Sequence, residues 1–172
     1  DLLIASVLCN DPVMYIDDRW LYDQEDDLPP VVELDLTNQQ PVVSIVGSDI
    51  TIVASGHASL LAREAAEQLK NEGILVEVVD IRVLNPFHAE EIIKSVKKTK
   101  NLLAIDSGWI SGGFSAEIIA KVVEQLPVDC LNNPPTRLAL PDAPAPVSRV
   151  LEKAYYTTTD DVVNIVKKIV KS

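Results

Sequence analysis

The sequence predicts an α/β domain of three layers, α/β/α, built on a mostly parallel sheet. Three observations predict it. Asp49 to Asp80 reads as one strand–helix–strand unit. The same alternation of short apolar, β-branched runs with amphipathic stretches then continues to the C-terminus, the pattern of a sheet covered on both faces. No repeat of fixed period competes with that reading.

The unit from Asp49 to Asp80 organises the rest. Ile50 to Ala54 is an apolar, β-branched run suited to a buried strand. Ser55-Gly56 breaks it. From Ala58 to Asn71, apolar residues recur at helical spacing: Leu61, Ala62, Ala65, Ala66 and Leu69. Gly73 closes the helix at a position that favours positive φ. Ile74 to Val79 is the second buried strand.

In chain order, Leu2 to Leu8 reads as the last turns of a helix, and Asn10-Asp11-Pro12 as a stop and turn. The chain opens at once on Leu2, Leu3 and Ile4, as if cut within a helix, so a fragment of a larger polypeptide is expected. Val13 to Ile16 reads as a short strand. Arg19-Trp20-Leu21-Tyr22 either forms a contact surface or covers a domain edge. The acidic run Asp23 to Asp27, Pro29-Pro30 and Asn38 to Pro41 have linker composition, with Val31 to Leu36 extended between them. The division expected is 1–22, a linker over 23–47, and a domain over 48–172. Val42 to Val46 suits a small strand in a hairpin with a neighbour.

Beyond Asp80, Pro86 fits a turn or a helix start, and Phe87 to Lys98 carries Ile92, Ile93 and Val96 on one side. Asn101 to Ile105 is the third strand. Phe114 to Leu126 is the next helix, and Thr136 to Leu140 another strand. Pro141, Pro144 and Pro146 stiffen the loop before a possible helical turn at Val150 to Ala154. Tyr155-Tyr156 is expected to pack on the domain. Thr157 with Asp160 gives a capping pattern for the last helix, whose apolar stripe is Val162, Val163, Val166, Ile169 and Val170.

Composition narrows the function. The chain of 172 residues holds 15 Lys plus Arg against 26 Asp plus Glu, a formal charge of -11. That excludes a nucleic-acid backbone as partner and permits a basic protein partner. Cys9 and Cys130 make no disulfide framework or metal-ligand spacing, so a reducing, cytoplasmic compartment is expected. No apolar run is long enough for a membrane span.

Open α/β sheets bind ligands outside the carboxyl ends of their strands. Those ends place His57, Arg82 and Asp106 on one rim if the strands are parallel. The set suits an anionic ligand or a proton-transfer network. It equally suits structural roles: a His ordering a turn, an Arg bonded to a carboxylate, and Asp80 and Asp106 capping helix termini. Ser111-Gly112-Gly113 precedes a helix, where successive N–H groups cradle an anion or glycines permit close packing at a subunit contact. There is no P-loop lysine, no complete GxGxxG and no GxSxG elbow. His88 stands in a polar helix start. An autonomous hydrolase is disfavoured by the lack of an activated nucleophile.

These residues carry a family resemblance. Val79, Asp80, Arg82, Leu84 and Pro86 reproduce "V-D-x-R-x-L-x-P". Asp106, Ser107, Gly108 and Trp109, followed by Gly112, Gly113, Glu117 and Ile118, resemble a second block. Asp142, Pro144 and Pro146 match "D-x-P-x-P", and Asp11-Pro12-Val13, Asp17 and Leu21-Tyr22 resemble the end of an upstream domain. Together they resemble the C-terminal domain of transketolase-like enzymes, above all the beta subunit of thiamin-diphosphate-dependent 2-oxo acid (pyruvate or branched-chain) dehydrogenases. Asp106-Ser107 departs from the paired acids or His-Glu of that family, so the substrate class does not carry over.

The resemblance implies a transketolase C-terminal-like domain over 48–172, a pyrimidine-binding-domain remnant over 1–22, and a role in subunit assembly and docking rather than catalysis by this chain alone. It implies thiamin diphosphate and a divalent metal in the parent enzyme, with no cofactor, metal or catalytic residue in this stretch. It implies a homodimer or an alpha/beta heterotetramer, and docking to the basic subunit-binding domain of a lipoyl acyltransferase. His57, Arg82, Asp106, Trp109, Ser111, Gly112, Gly113 and Glu117 then form a ligand or interface rim. A transketolase or deoxyxylulose-phosphate synthase parent shares the fold, and a stand-alone anion- or protein-binding module is the reading from another class.

Overall fold

The computed structural model describes residues 1–25, 27 and 30–171. Asp26, Leu28, Pro29 and Ser172 lie outside the described residues, so the acidic run and the Pro29-Pro30 pair are described only in part.

Five strands form one sheet in the order β1-β3-β2-β4-β5: β1 (Val42–Ile45), β2 (Ile50–Ala54), β3 (Val76–Asp80), β4 (Leu102–Trp109) and β5 (Thr136–Leu140). β2, β3, β4 and β5 run parallel, while β1 pairs antiparallel with β3. β1 therefore closes an edge by pairing two strands along the chain, not in a hairpin with β2.

Helices cover both faces. α2 (His57–Lys70) and α6 (Thr159–Val170) pack on one, in a core that includes Ile50, Ile52, Leu69, Val78, Leu103 and Val166. α3 (Glu90–Thr99) and α4 (Phe114–Gln125) pack on the other around Val53, Val79, Ile92, Val96, Ile118 and Val122. Alternate residues of β2 thus serve opposite layers, which is why its run is apolar throughout. Two shorter helices, α1 (Leu2–Leu8) and α5 (Arg149–Tyr155), lie outside these layers.

One charge is buried in the sheet. Glu77 in β3 is 1% exposed. It pairs with Lys98 of α3 and accepts the Gly47 N–H at 3.3 Å.

Several local expectations are corrected. Val13 to Ile16 forms no strand, because no strand among the described residues pairs with it and a lone extended segment leaves its backbone groups to solvent. Val31 to Leu36 ends in a 3-10 turn at Leu36–Asn38, capped by Asp35 through the Thr37 N–H at 2.9 Å. α3 begins at Glu90, after a cis Asn85–Pro86 bond in the preceding turn. β4 runs on to Trp109, which pairs with Leu140 of β5 across a bulge. The capping box of α6 is Thr158 with Asp161, one residue beyond the pair read from sequence.

Candidate functional site

The sheet order brings the loops together. From β2 the chain crosses to β3 on one side, and β4 lies on the other. The crevice at the carboxyl ends of β2 and β4 is therefore a topological switch point, where α/β sheets place ligands. Ser55 to His57 follows β2, and Asp106 to Gly113 spans the end of β4 and the start of α4.

His57 opens α2. Its backbone N–H donates to Asp18 Oδ2 at 2.8 Å. The cap of α2 thus comes from far upstream, since Gly56 has no side chain to supply it. Gly56 takes φ +56°, and a Cβ there would stand 2.8 Å from Asp18 Oδ2. The other Asp18 oxygen accepts the Trp20 N–H at 3.1 Å. This fixes a 3-10 turn, Arg19–Leu21, that lays Trp20 over the His57 ring with centroids 5.4 Å apart. Tyr156 meets Trp20 edge-on at 5.7 Å. Of the Arg-Trp-Leu-Tyr stretch, Trp20 covers the rim.

Arg82 is half-buried beyond β3. Burial pushes the Asp80 carboxyl up; the Ser59 hydroxyl and the charges of Arg82 and Arg63 pull the other way without cancelling it. Asp106 is a helix cap: Oδ2 accepts the Ser115 N–H at 2.9 Å and Oδ1 the Gly108 N–H at 2.8 Å. Gly113 allows α4 to start close to β4, since a Cβ there would fall 2.3 Å from the Trp109 carbonyl oxygen. The close packing of this glycine is made within the chain.

Ser111 donates to Asp142 through its N–H at 3.1 Å and its hydroxyl at 2.6 Å, which hold the Asp142 carboxyl below the usual range. Trp109, half exposed, donates Nε1–H to the Tyr155 hydroxyl at 3.1 Å, which donates to the Ala143 carbonyl at 2.7 Å. Glu117 is exposed, 3.9 Å from Lys121.

Two cavities open on the rim. One, of about 790 Å³, lies between residues 2–18 and the strand ends and includes Arg82, Asp106 and Gly56. The other, of about 660 Å³, includes His57, Asp106, Trp20, Tyr156 and Arg149. The structure thus brings His57 to Asp106 in one cavity and Arg82 to Asp106 in the other. Trp109, Ser111, Gly112, Gly113 and Glu117 line neither. Sequence reading missed Asp18, Tyr156 and Arg149; the acidic pair Asp17-Asp18 just before Trp20 was the one local signal. Among the described residues, no group of three His, Cys, Asp or Glu converges to hold a metal ion.

The family "Transketolase, C-terminal domain" matches residues 41–162. The beta subunit of the mitochondrial pyruvate dehydrogenase E1 component of Dictyostelium discoideum is 35% identical over 172 residues, covering 98% of this chain and 48% of that protein. The beta subunit of acetoin:2,6-dichlorophenolindophenol oxidoreductase of Bacillus subtilis (strain 168) is 33% identical over 170 residues, covering 95% and 47%. The chain spans about half the length of the curated relatives it matches. A solved split-gene transketolase, described as an inactive beta4 tetramer, superposes with a TM-score of 0.70 at 26% identity, over 86% of this chain and 46% of that one.

Proposed function

The chain belongs to the transketolase C-terminal domain family, and from that premise we propose that it is the C-terminal part of a beta subunit of a thiamin-diphosphate-dependent 2-oxo acid dehydrogenase. In that reading, residues 1–22 end the pyrimidine-binding domain, 23–47 are the linker, and 48–172 serve subunit assembly and docking. The observation that carries it is the extent of the likeness. The domain family accounts for residues 41–162, but the likeness to a pyruvate dehydrogenase beta subunit runs over 98% of the chain, well into the segment before residue 41.

The residues present do not fit the cofactor. Among the described residues there is no carboxylate or imidazole cluster for the divalent ion that would bind its diphosphate. Asp106, the acid best placed on the rim, is occupied as a helix cap. In this reading the cofactor is held by other parts of the parent enzyme, and no catalytic step is assigned to this chain. What it contributes is surface. Its net charge of -11 suits steering a basic subunit-binding domain of a lipoyl acyltransferase. The likeness to a subunit that forms a tetramer supports self-association, as a homodimer or within an alpha/beta heterotetramer.

A transketolase parent is the second reading, favoured by the split-gene transketolase neighbour. Substrate separates the two. The reading frame upstream of Asp1 is expected to encode a pyrimidine-binding domain. The whole product, with its alpha-type partner, is expected to decarboxylate a 2-oxo acid, while the purified 172-residue chain turns over nothing. Turnover by the isolated chain overturns the assembly role, and ketol transfer in place of decarboxylation selects the second parent.

A further inference from the structure

The cavity of about 660 Å³ holds a combination of groups that assembly does not explain. Its volume is that of a small-molecule site, and it stands at the switch point between β2 and β4. One wall is aromatic: Trp20 lies over His57 at 5.4 Å and meets the edge of Tyr156 at 5.7 Å. Leu61, Ile105 and Leu140 add apolar surface. Arg149 and Lys153 of α5 line it from one side.

The lining carries two exposed cations, Arg149 and Lys153, and three carboxylates, Asp18, Asp106 and Glu152. One oxygen each of Asp18 and Asp106 accepts a backbone N–H in the first turn of α2 or α4, and the other accepts the N–H of the residue two positions on, Trp20 or Gly108. A carboxylate in that position is offset by the donated bonds and by the positive end of the helix dipole. That leaves two cations, Arg149 and Lys153, against the single carboxylate of Glu152. Arg149 and Lys153 stand four apart on one short helix, a spacing at which like charges repel. Neither has an ion pair within the chain among the described residues. Thr157 and Thr158 also line the cavity, the Thr158 hydroxyl being held in the capping box of α6.

The geometry points to a binding site for a flat aromatic ring carrying a phosphate, of the nucleoside-monophosphate kind. The ring stacks against Trp20 in the space bounded by Tyr156, and the phosphate lies between Arg149 and Lys153. Arg supplies a forked donor set and Lys a point charge, the usual pairing at a phosphate. The site does not depend on which thiamin enzyme the parent is. A chain with net charge -11 repels anions overall, so retention of one reports these local groups.

The test uses the 172-residue chain carrying Trp109→Phe, which leaves Trp20 as the one tryptophan of two. AMP and UMP are titrated while Trp20 fluorescence is followed, with calorimetry alongside. Saturable quenching is expected, with adenosine and inorganic phosphate each at least about tenfold weaker. R149Q/K153Q is expected to weaken AMP by about tenfold or more with an unchanged far-UV spectrum. K97Q/K100Q, which removes two cations outside this cavity, is expected to leave the affinity as it was. No saturable change with either nucleotide overturns the site. So does equal weakening by both pairs of substitutions, or binding of inorganic phosphate as tight as that of AMP.

Discussion

Asp18 Oδ2 accepts the backbone N–H of His57 at 2.8 Å, a bond that spans 39 positions of the chain and caps α2 with a carboxylate from well upstream of β1. It ties the turn at Arg19–Leu21 to the start of α2 and holds Trp20 on the rim. Asp18→Ala is expected to lower stability by about 1 kcal/mol, the ordinary cost of a lost N-cap. Asp18→Asn, which keeps an acceptor, is expected to lose less. Thermal unfolding checks the cost, and Trp20 emission checks whether the indole leaves the His57 ring.

Gly56 provides a second test of the same contact. Ala there meets φ +56° and places its Cβ 2.8 Å from Asp18 Oδ2. With ψ -134° this conformation lies outside the left-handed helical region, and the backbone term alone is about 1–3 kcal/mol. Because part of the penalty is the approach to Asp18, G56A combined with D18A is expected to cost less than the two single changes added. Strict additivity in urea unfolding would show that the two residues do not feel each other.

Asp106 separates an acid role from a cap. Both its oxygens are occupied by N–H donors of Gly108 and Ser115. Asp106→Ala is expected to cost about 1 kcal/mol and to speed amide exchange at the start of α4. Unchanged protection of Ser115 and the residues after it would contradict the cap.

How far this was legible depends on the range of each interaction. Ile50 to Ala54 and the α2 stripe were plain because burial repeats within a few residues. The last helix was read one position early because Thr157-Thr158-Thr159-Asp160-Asp161 offers the Thr-x-x-Asp spacing in two registers; the box forms at Thr158. Trp109 was left outside β4 because Ser107 and Gly108 look like a turn, yet a bulge carries the strand to Leu140. The placement of His57, Arg82 and Asp106 at strand ends followed from a parallel sheet. Which of them share a cavity did not, since that depends on Asp18, Trp20 and α5 arriving from distant parts of the chain. Val13 to Ile16 has strand composition but no partner strand among the described residues, and no local signal reports a missing partner.

The Glu77–Lys98 pair predicts an acid-sensitive term. Burial pushes the Glu77 carboxyl up, but hydrogen bonds from Lys98, Ser95 and the Gly47 N–H, with the Lys98 charge, outweigh it and hold the group below its usual range. A depressed folded pKa contributes stability above the unfolded value, and that contribution disappears as pH falls through the folded value. Lys98→Met leaves Glu77 buried with fewer donors. It is expected to cost about 1–3 kcal/mol at pH 7, less than a fully buried pair because Lys98 is 47% exposed. The deficit is expected to shrink in acid, where Glu77 protonates in both states. A deficit that stays constant from pH 7 to pH 3 would mean that Lys98 acts through packing.

Asp80 predicts the opposite sign. Its pKa is raised above 3.8, chiefly by burial, although the Ser59 hydroxyl, Arg82 and Arg63 oppose the shift. A raised folded pKa means that the folded chain holds the proton more tightly than the unfolded one. Its contribution to stability is complete below the unfolded pKa and is lost as pH rises through the folded value. At neutral pH the ionised carboxylate is therefore a cost that Ser59 and the two arginines only partly offset. Asp80→Asn keeps an acceptor for the Ser59 hydroxyl and removes the charge, so the variant is expected to melt higher than the parent at pH 7. The advantage is expected to close toward pH 3, where the parent's Asp80 is protonated. Ser59→Ala removes the bond that favours the ionised form and is expected to lower the melting temperature at pH 7 by more than at pH 3. Melting curves of both variants across that range decide the balance. A lower melting temperature for Asp80→Asn at pH 7 would show that the attraction of Arg82 and Arg63 exceeds the cost of burial, and would make Asp80 the anchor of Arg82 on the rim.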